Sequence, residues 1–307
     1  MIDKFLLVTI DTEADSTESW GIRLPFEFRS IQEGIGKRLM PLFWKYGVRP
    51  TFLISHEVLA HEPSVRFLRS LPDCELGTHC HWNASDCPLY PGEKRLYVQG
   101  NFPYEAELLQ MKQLTELFTA QFGRRPLSFR AGRFGAGINT GKILLELGYL
   151  QDSSIVPHVA HGYRDGEIFP DHTRCPESPY YISDSGDLTR PGNQPLLEIP
   201  VTVRRIHRRF DPLGLRRDIY AWLRPSCSTW AAMSRVATKV LKEPAPVMNV
   251  MFHNVEFVAG CSPYASDEQG VRKLLERLEH LFILCRKRGV RFVTMSELGT
   301  ELRKGRL

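Results

Sequence analysis

Asp11 and Glu13 flank Thr12, and His79 and His81 flank Cys80, in a chain of 307 residues. On an extended segment, residues two apart point to the same side, so each pair can present two polar groups to one place. Two imidazoles and a carboxylate are a ligand set for catalytic zinc or a similar divalent ion, with positions left over for water. Cys80 falls on the opposite side and is not counted as a ligand. Taken alone, a His-x-His pair is more often ordinary surface or core histidine than a metal site. The acidic pair and a further histidine strengthen the metal reading. That histidine, His253, follows the apolar run VMNVMF and precedes Asn254. It reads either as a hydrogen-bonded core residue or as a general acid, since imidazole donates a proton near neutral pH. Arg130, in SFRAGRFG, reads either as a structural salt-bridge partner or as a guanidinium that orients an active-site carboxylate and keeps it ionised.

These residues need elements to position them. Candidate strands cover 5–10, 49–54, 74–78, 127–130, 149–152, 196–201, 247–252 and 290–293. Helices are predicted over 30–46, 104–122, 140–147, 218–241 (broken near Pro225) and 267–288. In the last, Val271, Leu274, Leu275, Leu278, Leu281, Phe282 and Cys285 recur with a period of about 3.6. Gly47 and Gly289 follow helices as C-terminal caps do. Strand and helix alternating in this way predict a mostly parallel α/β architecture. In such folds the C-terminal strand ends share a rim where chemistry collects. Asp11, Glu13, His79, His81, Arg130, Asp152 and His253 all fall at or just past predicted strand ends. One domain over 1–307 is expected, with insertions near 155–195 and 203–245. The first insertion is rich in Pro, Gly, Asp, His and Tyr; the second opens with a basic run, 204–217, and continues as a helix.

A hydrophobic share of 42% and a charged share of 24% suit a soluble globular protein. The formal charge of +5 and pI of 8.8 are too mild to argue for nucleic acid without a docking motif. No apolar window reaches bilayer-spanning length. The apolar stretch 5–10 is strand-sized and an acidic run follows it, so no signal peptide is read. Seven scattered cysteines with no CxxC pair resemble free thiols of a reducing compartment, and a cytoplasmic location is expected.

The segments LLVTIDTE, PTFLI, ELGTHCHW, SFRAGRFG, GYLQDSS, LEIPV and MFHNVEF, in this order, resemble the NodB-homology polysaccharide deacetylase family (carbohydrate esterase family four) over most of the chain. The resemblance implies an irregular (β/α) barrel of about seven to eight strands with insertions. It also implies a metal-dependent hydrolase removing acetyl groups, N-acetyl first, from a carbohydrate or polysaccharide precursor. The implied cofactor is a divalent metal, zinc first, with cobalt, nickel or manganese as alternatives. Asp11 matches the catalytic base. The family's second aspartate directly follows the first; here that place is Thr12, and Glu13 is the nearest replacement. The family's histidines are usually four apart, whereas position 83 is Asn83 and the second histidine is His81. Both departures occur together in a subgroup carrying DTE and HxH, which implies a variant site with Glu13, His79 and His81 as ligands. Arg130 matches the arginine that braces the base, with the run Arg130, Ala131, Gly132, Arg133, Phe134 in place of the usual RPPY. His253 matches the catalytic acid. Asp152, Phe134, Asn254 and Trp82 are the expected substrate-side residues, and the tail from Asn254 to Tyr264 is expected to line the pocket.

Trp82 reads equally as a platform for a sugar ring and as core packing. Tyr90, Tyr97, Phe102, Tyr180 and Tyr181 fit a groove or satellite packing alike. The run 204–217 carries six arginines; it reads as solvated surface or as a site for a phosphate, an acidic saccharide or a lipid head group. The expected partner is an acetylated sugar or related small molecule, not nucleic acid. Two other readings stand beside this one: an amide hydrolase of the same fold acting on a small or lipid-linked substrate, and a non-catalytic saccharide-binding protein.

Overall fold

The computed structural model of the chain describes residues 3–21, 23–81, 98–160, 162–164, 167–210 and 216–305. Trp82, Tyr90 and Tyr97 lie outside the described residues. In chain order the elements are β1 (Phe5–Thr12), α1 (Met40–Tyr46), β2 (Thr51–Ile54), α2 (His56–Ala60), α3 (Glu62–Ser70), β3 (Glu75–Cys80), α4 (Tyr104–Phe122), β4 (Ser128–Ala131), α5 (Thr140–Glu146) and β5 (Gln151–Asp152). There follow β6 (Tyr163–Arg164), β7 (Glu167–Ile168), β8 (Tyr180–Tyr181), β9 (Leu197–Glu198), β10 (Val203–Phe210), β11 (Arg216–Trp222), α6 (Trp230–Val240), β12 (Val247–His253), α7 (Glu268–Lys287), β13 (Arg291–Phe292) and α8 (Met295–Arg303). The alternation of strand and helix is the α/β pattern expected. The chain forms two compact units, one from 1–50, 201–294 and 301–307, the other from 51–200 and 295–300.

In the first unit β1 pairs in parallel with both β12 and β13. Its whole length, FLLVTIDT, is buried, which is why it reads as a nearly continuous apolar run rather than an alternating one. Helix α7 turns Val271, Leu274, Leu278, Leu281, Phe282 and Cys285 inward, as its period requires. Asp267 caps it by accepting the Gly270 N–H at 2.7 Å. Phe43 of α1 meets Phe282 edge to face, ring centroids 6.1 Å apart. Gly47 and Gly289 terminate α1 and α7 at φ +65° and +66°, as expected.

Residues 218–222 depart from the helix expected over 218–241. They belong to β11, which pairs antiparallel with β10, and α6 begins only at Trp230 behind the Thr229 cap. The segment DIYAW carries β-branched and aromatic residues that suit a pleated strand, and pairing with β10 decides the matter. Part of the basic run is structural. Arg204 is buried and forks onto Glu243 at 2.8 and 3.0 Å, and Arg205 meets Asp218 at 3.1 Å.

In the second unit β2, β3, β4, β5 and β9 pair in parallel in that order, and β8 runs antiparallel to β9. The registers set His79 beside Arg130, Asp152 beside Phe129 and Glu198 beside Asp152. Helices α2 and α3 fill 56–70, where no helix was predicted; each is too short to display a period. Gly77 allows β3 to lie close against β4, because a Cβ there would stand 2.4 Å from the Ser128 carbonyl oxygen and 2.9 Å from Leu53. Gly77→Ala is therefore expected to destabilise the protein by about 1–3 kcal/mol or more, as overpacking against backbone does. It should also shift His79, two residues on; a denaturant melt together with a metal titration checks both.

Candidate active site

In the first unit, at the ends of β1 and β12, Asp11 and His253 stand side by side. His253 Nε2 lies 3.7 Å from Asp11 Oδ2 and 3.8 Å from Glu13 Oε1, beyond hydrogen-bond distance. The opposite ring nitrogen is held firmly. Nδ1 is 2.9 Å from Glu256 Oε1, and the same oxygen accepts the His253 backbone N–H at 3.0 Å. Arg224 donates to that oxygen too, and its Nη2 lies 3.1 Å from Nδ1. Burial alone would push the Glu256 carboxyl up, but the Arg224 guanidinium and then His253 hold it below the usual range. An ionised Glu256 accepts the Nδ1–H, so the Nε2 edge of His253 is the one aimed at Asp11 and Glu13.

Asn254 is buried and acts on the backbone. Its amide accepts the Glu13 N–H at 2.9 Å, donates to the Glu13 carbonyl at 2.9 Å and reaches Ser30 Oγ at 2.8 Å. It therefore fixes where Glu13 leaves β1. Thr12 is buried, with its hydroxyl on the Ile10 carbonyl at 3.1 Å. The position where the family carries a ligating aspartate is thus turned into the strand.

In the second unit, His79 and Arg130 stand side by side toward the ends of β3 and β4. His79 is buried and its Nδ1 lies 3.0 Å from the Arg130 carbonyl oxygen. A carbonyl can only accept, so Nδ1 carries the proton and Nε2 the lone pair. The His81 ring is 4.8 Å from that of His79, at 71°. Gly132 leaves it room: a Cβ there would come within 2.7 Å of the Cys80 carbonyl oxygen and 2.9 Å of His81 Cδ2. Cys80 is buried between the two, and burial pushes its thiol up.

Arg130 is buried and anchored to Ser153, through Nε to the carbonyl and Nη2 to the hydroxyl, each at 2.8 Å. Phe134, at φ +54°, sets its ring 5.8 Å from the guanidinium. Asp152 has no exposed surface and takes the Ser154 hydroxyl at 2.7 Å. Burial raises its pKa, and burial followed by the Asp152 charge raises that of Glu198 well above normal. The two carboxyl groups face each other across the β5–β9 pairing. Asp152 thus spends its carboxylate on Ser154 and Glu198.

Sequence reasoning gave no role to Arg224 or Glu198, and took Glu256 only as part of the tail 254–264. Glu256 had a signal, three residues past His253 where a tight turn can bring them together. Arg224, 29 positions before His253, had none.

No family model and no curated protein matches the sequence. Solved structures do. A candidate polysaccharide deacetylase from Pseudomonas aeruginosa PAO1 matches at TM-score 0.57 and 15% identity, over 99% of this chain and 91% of that one. Another, from Mycobacterium smegmatis, matches at 0.53 and 17%, over 91% and 79%. The chain has the polysaccharide deacetylase fold. The Puue allantoinase matches at 0.55 and 15%, over 97% and 89%. The deacetylase fold therefore hosts more than one chemistry, and likeness at this identity speaks for the fold alone.

Proposed function

We propose that this chain is a metal-dependent hydrolase removing acetyl groups, N-acetyl first, from a carbohydrate or polysaccharide precursor, with Glu13, His79 and His81 holding one divalent ion. The observation that carries the reading is the imidazole pair ending β3, where the Arg130 carbonyl fixes His79 with its Nε2 lone pair as the donor. Two imidazoles and a carboxylate fit zinc, and also cobalt, nickel or manganese. When bound, such an ion supplies Lewis acidity toward the acetyl carbonyl and makes a water more acidic.

The chain's own groups do the proton work. Asp11 takes the proton of the attacking water, and Arg130, anchored at Ser153, is the arginine that the resemblance assigns to bracing that base. His253, oriented by Glu256, delivers a proton from Nε2 to the departing nitrogen, which is otherwise a poor leaving group. In this reading the chain is one domain, its parallel strands make the irregular (β/α)7–8 barrel, and the free thiols of the described cysteines go with a cytoplasmic location.

A second reading, an amide hydrolase acting on a small non-sugar substrate, is favoured by the likeness to an allantoinase. One assay separates them. N-acetylated monosaccharides, nucleotide sugars, N-acetylglucosamine oligomers, O-acetyl sugars and non-sugar amides are compared side by side for product release. Acetate released fastest from an N-acetyl sugar is the expected result. Turnover of non-sugar amides alone would move the assignment to the second reading. Full-strength saccharide binding without turnover would make the chain a binding protein.

A further inference from the structure

We propose that Trp20 and Tyr264 form an aromatic shelf that stacks a pyranose ring of an N-acetylated saccharide beside His253; the inference rests on the deacetylase reading and names how that site would hold a sugar. Both rings belong to the first unit. The Trp20 ring centroid is 4.9 Å from that of His253, tilted at 56°, and 5.7 Å from that of Tyr264, nearly edge-on at 73°. Both side chains remain partly in solvent, Trp20 at 37% and Tyr264 at 36% exposure. Core aromatics of this unit are treated differently: Phe43, Phe252, Phe257 and Phe282 are fully buried.

The backbone holds Trp20 there at a cost. Its φ is +63°, a left-handed conformation that bulky residues seldom adopt and that persists only where the surroundings impose it. The surroundings do impose it. Trp20 N–H donates to the Thr17 carbonyl at 3.1 Å, Thr17 N–H to the Gly21 carbonyl at 2.9 Å, and Gly21 N–H to Thr17 Oγ1 at 2.8 Å. That turn is tied in turn to the loop carrying Tyr264. Ser16 donates to the Cys261 carbonyl at 2.6 Å, and Arg23 bridges the Ser16 and Gly260 carbonyls at 3.0 and 3.2 Å. Arg224, which holds Glu256, lies 5.4 Å from the Tyr264 ring centroid. The shelf and the histidine are thus built on one hydrogen-bonded frame.

An exposed indole in a strained, braced turn offers a flat, polarisable face at little entropic cost, with tyrosine as a second wall. The C–H face of a pyranose matches such a surface, while its hydroxyls stay in water. A small acyclic amide has no ring to lay on it. The shelf therefore points to a saccharide rather than to the amide alone as what is recognised.

The test is calorimetric titration of the full-length protein with an N-acetylglucosamine trimer, for the native chain and for Trp20→Gly, Trp20→Phe and Tyr264→Ala. Trp20→Gly is expected to weaken binding about tenfold or more. Its melting temperature should be unchanged or higher, since glycine adopts φ +63° without strain. Trp20→Phe, which keeps a ring, should stay within about threefold of the native affinity, and Tyr264→Ala should fall between the two. A trimer that binds Trp20→Gly as tightly as the native chain would overturn the shelf, as would a native chain that does not bind the trimer. Neither readout uses turnover. Trimer bound through Trp20 with no acetate released would uphold the shelf while removing the deacetylase reading.

Discussion

A protein in which His79 and His81 are both alanine is expected to hold no stoichiometric metal and to release acetate about a thousandfold more slowly, or worse. The magnitude follows from what the ion supplies. Losing a single donor to a developing oxyanion costs roughly a hundred- to a thousandfold, and losing the ion removes carbonyl polarisation and the acidic water together. The fold should survive. The double substitution removes, with other contacts of the two rings, the buried hydrogen bond from His79 Nδ1 to the Arg130 carbonyl, and leaving that acceptor unpaired costs about 1–3 kcal/mol. A large loss of activity with a small loss of melting temperature is thus the signature of a ligand pair. A collapse of both together would mean that the histidines serve the core.

His253→Ala is expected to lower kcat on N-acetyl substrates by about a hundred- to ten-thousandfold, the usual contribution of a positioned general acid. On an activated acetyl ester, whose leaving group needs no proton, the loss should be far smaller. The contrast follows from the geometry, which holds Nδ1 on Glu256 and turns Nε2 toward Asp11 and Glu13. Glu256→Gln should lie between native and His253→Ala, at about ten- to a hundredfold, as losses of outer partners usually do. Its amide oxygen still accepts the Nδ1–H, but Arg224 loses the buried charge it pairs with. Kinetics on the two substrate types, with the imidazole tautomer followed by nitrogen NMR, checks the pair of variants. Equal losses on amide and ester would take proton delivery away from His253.

Much of the fold was legible because its signals are local. The fully buried β1 shows as an apolar run, α7 as a periodic stretch ended by Gly289, and the polar residues at strand ends follow from parallel topology. The pairing of β10 with β11 was not legible. The arginines of the run mask the strand alternation, and only pairing over a register from Val203↔Trp222 to Phe210↔Arg216 resolves it. Short α2 and α3 left no period to find. At the site, residue types and spacing singled out Asp11, Glu13, His79, His81, Arg130 and His253. Their supports were hidden, because support is a matter of partners far apart in the chain. Arg224 reaches Glu256 across 32 positions, Asp152 meets Glu198 only through adjacent strands, and Asn254 grips the backbone of Glu13 across 241. Asn254 was expected to line a pocket; its amide is instead used on backbone and Ser30, a choice no pattern of residue types announces.

The most direct test is the metal content of the purified protein, measured on the native chain and on the His79→Ala/His81→Ala variant, with acetate release from N-acetylated sugars followed on the same samples. About one divalent ion per chain in the native protein, lost in the variant together with acetate release, is the predicted result. A native chain that takes up no divalent ion after reconstitution, or a variant that releases acetate at the native rate, would contradict it.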